Sequence, residues 1–133
     1  MTHDNKENSM KITYEDAVEQ VTKIVAEKGR DHVYADKDDN GDCFYFRDEA
    51  PSCVVGHWVH ALGIEEFESA VKFKESSGPF SAGELATTAW DEGIDIDEAA
   101  LVFLSNIQDL QDRGWTWGAA LDFAISQAES GNI

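Results

Sequence analysis

Basic residues are scarce in this chain: ten Lys and Arg stand against 27 Asp and Glu, a formal net charge of −17 over 133 residues. Neutralisation of phosphates by Lys and Arg supplies most of a protein's affinity for nucleic acid, so direct DNA or RNA binding is not expected. The same field repels an anionic membrane surface. Cysteine is scarcer still, and Cys43 and Cys53 are too few for a disulfide framework. No stretch approaches the ~20 apolar residues of a membrane-spanning helix. The opening Met1 to Lys11, with Asp4 and Glu7 and no apolar run, does not read as a signal peptide. These absences point to a cytoplasmic, reduced protein that works without a membrane.

The chain is not short of material for a core. Hydrophobic residues make up 42%, among them seven Phe, four Trp and three Tyr, and the length suits one domain. Residues 1–12 are polar and aperiodic and read as a flexible N-terminal tail, with a single globular domain over 13–130.

Helical spacing organises most of that domain. Thr13 with Asp16 resembles a capping box ahead of Tyr14, Ala17, Val18, Val21, Ile24 and Val25, and Gly29 closes the run. Ser52 reads as the N-cap of a short helix ending at Gly63. Its Val54, Val55, Trp58, Val59, Ala61 and Leu62 fall on one apolar arc, and Cys53, Gly56, His57 and His60 fall on the other. A weaker helix follows over Ile64–Lys74. Ser81 with Glu84 opens one that runs to about Trp90, Asp95 with Glu98 opens another towards Gly114, and Thr116 caps the last. Between the first two helices, His32–Ala35 and Cys43–Phe46 are β-prone and flank Asn40-Gly41, which predicts a β-hairpin. The expected fold is α+β and mostly helical: about five helices packed around a central short helix, with one small β-hairpin.

Four constellations carry chemical possibilities. Cys53, His57 and His60 at i, i+4 and i+7 form a partial zinc set that needs a further ligand, such as His32 or Cys43. The competing reading has this face packed against another helix, with Gly56 allowing close approach. A Cys53 nucleophile with a histidine base is disfavoured, because a residue one turn along the same helix seldom presents the required geometry and no oxyanion-hole sequence is evident. Asp36, Asp38, Asn40, Gly41 and Asp42 reproduce the opening half of an EF-hand calcium loop, but Arg47 stands where a bidentate Glu should close it. An ordinary acidic turn is the simpler reading. The acidic surface itself is the third candidate: Asp36, Asp38, Asp39, Asp42, Asp48, Glu49, Glu65, Glu66, Glu68, Asp91 and Glu92 would meet a protein partner with a basic surface. First-turn carboxylates are also explained by the helix dipole. The fourth is Trp115 with Trp117, which are core residues or, if exposed, interface anchors.

Two segments, Pro51–His57 running on to Leu62-Gly63 and Gln111–Gly118 with the helix after it, resemble a group of small uncharacterised proteins encoded by actinobacterial phages. The resemblance implies an accessory phage protein acting in the host cytoplasm and transfers no catalytic residue. The combined expectation is a non-enzymatic acidic protein that binds a host or phage protein, masking a basic surface that otherwise meets nucleic acid. The alternatives are a small zinc- or calcium-binding module and an oligomeric structural protein, with a dimer left open.

Overall fold

In the computed structural model, residues 10–34, 44–47, 50–78, 80 and 82–130 are described. Helix α1 (Tyr14–Lys28) begins where the sequence asks for it. Asp16 N–H donates to Thr13 Oγ1 at 3.2 Å and Thr13 N–H donates to the Asp16 carboxylate at 3.1 Å, a complete capping box. Ala17, Val21, Ile24 and Val25 form its buried stripe, and Gly29 ends it with φ 101°.

The segment before α1 departs from the expected tail. Met10–Ile12 is a strand, β1, paired in parallel with β4 (Ile94–Ile96), Ile12 opposite Ile96. Ile12 is 1% exposed, so burial of its side chain joins this end of the chain to the domain. Residues 1–9 of the expected tail lie outside the described residues.

The antiparallel pairing also lies elsewhere than anticipated. Phe46–Arg47 (β2) pairs with Ala50–Pro51 (β3), while Val33 bridges to Thr116. Tyr34 points inward and its hydroxyl accepts from Phe44 N–H at 2.9 Å, so the two β-prone runs meet through a side chain. The Asp36–Asp42 turn falls outside the described residues.

Helix α2 (Val54–Leu62) packs against α1, α3 (Glu65–Ser76), α5 (Glu98–Asp112) and β3. Helix α4 (Ala82–Asp91) lies against α3, β4 and α5, and α6 (Trp117–Glu129) lies against α1 and α5. One contiguous set of buried side chains runs from Ile12 to Ala124, with Trp58, Phe67, Phe103 and Trp117 the largest. The described residues therefore hold six helices, a parallel pair and an antiparallel pair: the mostly helical α+β class, with the short α2 near its centre.

Three local expectations shift. Cys53, not Ser52, is the N-cap of α2, and the Ser52 hydroxyl instead donates to Tyr34 Oη at 3.0 Å. Asp95 lies within β4, and Asp97 caps α5 by position without a side-chain bond. The apolar arc drawn for α2 is only part of its contact surface: Gly56 is buried as well, while Ala61 is exposed. Its exposed arc is narrow: His60 and Ala61 are exposed, and His57 between them on the helical wheel is half-buried.

Candidate functional site

The N-terminus of α2 is buried, and buried helix ends must have their orphan N–H groups satisfied. Three side chains do this. Gln111 Oε1 accepts from Val54 N–H at 2.8 Å, Gln108 Oε1 accepts from Val55 N–H at 3.4 Å, and Cys53 Sγ accepts from Gly56 N–H at 3.3 Å. Gln111 is fully buried, and its Nε2 donates to Asp112 Oδ1 at 2.8 Å. The dipole end that would lower a thiol pKa is thus taken up by neutral caps. Burial dominates at Cys53, which has no exposed surface, and pushes its thiol up to about 12. Cys53 serves as the N-cap of α2. Alkylation of the native protein near pH 8 followed by peptide mapping should leave Cys53 unmodified over a time in which denatured protein reacts completely. Rapid native labelling would contradict the assignment.

The histidines do not join Cys53 in a ligand set. His57 Nδ1 lies 2.9 Å from the Cys53 carbonyl oxygen, which can only accept, so Nδ1 carries the hydrogen. Its ring meets Trp117 edge-on at 5.5 Å, and His32 also meets that indole edge-on at 4.5 Å. His60 turns outward to Glu68, 3.1 Å away. Among the described residues no three His, Cys, Asp or Glu side chains gather as metal ligands, so the anticipated Cys53–His57–His60 stripe is not assembled. The reason is local: Cys53 sits before the first turn in extended backbone (φ −82°, ψ 173°), so it does not follow the helical stripe. Cys43 and the calcium-like turn lie outside the described residues.

Burial, with Lys28 adding to it, lowers the pKa of both His32 and His57. An unfolded His57 takes up a proton near pH 6.5, before the folded one does, so its contribution to stability is intact above that pH and declines below it. The stability of wild type relative to His57→Asn should therefore fall as pH drops from 7 to 5, measured by denaturant titration at each pH. A gap independent of pH would sink this reading.

The exterior has a different character. Exposed Lys23 pairs with Glu19, Arg113 with Asp109 at 3.0 Å, and Arg30 with Asp122. Lys72 and His60 converge on Glu68, and although burial alone would raise that carboxyl, their hydrogen bonds hold it below its usual value. Glu68 is therefore engaged within the fold. Among the described residues no ion pair reaches Glu65, Glu66, Asp91 or Glu92. Glu65 and Glu66 occupy the first turn of α3, where the dipole favours them. Asp91 ends α4 and Glu92 follows it, at the pole where a cation would be favoured, and that last turn holds no basic residue. Asp36, Asp38, Asp39, Asp42, Asp48 and Glu49 lie outside the described residues.

Of the exposed aromatics, sequence reasoning weighed Trp115 and missed Phe73, Trp90 and Phe123. Phe73 is 73% exposed and Trp90 60%, and Trp115 stacks at a tilt on Phe123 with both partly exposed. Of the two tryptophans beside Thr116, Trp117 is core and Trp115 is not. The signal for Trp90 was present in its phase: it stands about 100° from Ala89 and 140° from Leu85, off the stripe those residues bury. Glu75 was missed as well. Its carboxylate accepts from Tyr45 N–H (2.7 Å) and Phe46 N–H (2.9 Å), which pins the backbone at the start of β2. Comparison with protein-family models, with curated proteins and with solved structures found no match.

Proposed function

We propose that this chain is an acidic binding protein without catalytic activity, an accessory protein of the phage kind that acts in the host cytoplasm. In this reading its carboxylates occupy the basic surface of a host or phage protein, a surface that otherwise meets nucleic acid. The observation that carries the proposal is the set Glu65, Glu66, Asp91 and Glu92, for which the described residues supply no ion pair. Two of the four sit at the end of α4 where they oppose the helix dipole. Carboxylates placed for stability alone would favour N-terminal turns. The fate of Cys53 supports the same reading, since the residue best suited to covalent chemistry is consumed as a cap.

Affinity capture from host lysate tests it. At low salt the wild-type protein should retain a protein with a basic surface, and the variant Glu65→Gln/Glu66→Gln/Asp91→Asn/Glu92→Gln should lose most of it. Equal retention by both would remove these carboxylates from the account.

A further inference from the structure

We infer that Trp90, with Asp91 and Glu92, forms the docking point for an arginine-rich segment of that partner; the inference rests on the acidic-surface reading and gives it an address. Trp58 and Trp117 are fully buried and Trp115 is 38% exposed, whereas Trp90 leaves 60% of its surface in solvent. A lone exposed aromatic is unremarkable by itself. Here three negative features neighbour it along the chain. The face of an indole carries the negative part of its quadrupole. The last carbonyls of α4 carry the negative pole of its dipole. Asp91, exposed, and Glu92 follow directly in the chain, and no cation of the described residues pairs with either.

Charge complementarity selects the occupant. A guanidinium stacks on an indole face and forks onto a carboxylate at once, which an ammonium does less well. A nucleic-acid base would stack equally well on Trp90, but its phosphates would be repelled by the adjoining carboxylates. A second copy of this chain carries the same net charge of −17 and is repelled too.

The test is calorimetric titration of the full chain with a short oligo-arginine peptide at low salt, using three variants. Trp90→Ala keeps the net charge and should bind about tenfold more weakly. Asp91→Asn/Glu92→Gln should weaken binding more than Glu15→Gln/Glu19→Gln, which removes the same charge from α1. The indole N–H signal of Trp90 in wild-type protein should shift during the titration, a readout that does not depend on any variant folding. Unchanged binding by Trp90→Ala, with equal losses in the two charge variants and a static indole signal, would overturn the docking point and leave the acidic-surface reading standing. Absence of any binding by the wild type would overturn both.

Discussion

Replacing Gly56 by alanine is expected to destabilise the protein by about 3 kcal/mol or more, lowering Tm by roughly 10 °C. The new methyl would overlap the carbonyl oxygen of Tyr45 and lie 2.7 Å from its carbonyl carbon. An obstructing side chain could rotate away, but this obstacle is backbone, and it is held from both sides. The Glu75 carboxylate grips Tyr45 N–H and Phe46 N–H, and Ser52 N–H donates to the Tyr45 carbonyl at 2.8 Å. Moving the strand aside would break those bonds, and moving α2 would open the packing around Trp58 and Val59. Against this stands the better helix propensity of alanine, about 1 kcal/mol in its favour. The clash wins. Thermal unfolding of Gly56→Ala checks it, and a Tm equal to or above wild type would show that α2 and the Tyr45 backbone have room for a methyl between them.

Gln111→Leu should cost about 2 kcal/mol despite conserving volume and adding apolar surface. Leucine in a buried position normally stabilises, so the sign of this effect is informative. Gln111 Oε1 is the acceptor for Val54 N–H at the buried start of α2, and a buried donor left unsatisfied costs about 1–3 kcal/mol. The same change removes the Nε2 donor from Asp112. Denaturant titration of the variant measures the difference. A neutral or stabilising result would mean that water reaches Val54 N–H.

Both predictions concern residues whose importance the linear pattern conveys unequally. Gly56 was legible as a place of close approach, but the pattern suggested a neighbouring helix, and the neighbour is the Tyr45 backbone. Gln111 was not legible, because a glutamine near the end of an amphipathic helix gives no sign of the distant N–H group it will meet. The helices were readable where local chemistry decides them: the Thr13–Asp16 box, the closing glycines 29 and 63, and Thr116 as N-cap all stand. Caps within one residue of each other are not separable by pattern, which is how Cys53 displaced Ser52. The parallel pairing of Met10–Ile12 with Ile94–Ile96 joins short segments far apart in sequence, and three residues are too few to display alternation.

The acidic exterior divides along the same line. The residue types were visible as a surplus of acid, but which carboxylates find partners depends on side chains brought together by folding. Glu68 is engaged by Lys72 and His60, whereas Glu65 and Glu66 on the same helix have no ion pair among the described residues. The Cys53–His57–His60 pattern is the converse case: a spacing suited to a ligand set, dispersed because its first member belongs to the cap and its last turns to Glu68.

We propose that this protein acts by presenting uncompensated negative charge to a basic partner. The most direct measurement is the dissociation constant of the captured complex over a series of salt concentrations. The account predicts a steep weakening with salt that becomes shallower when Asp91 and Glu92 are neutralised. An affinity that stays constant as salt rises would contradict it.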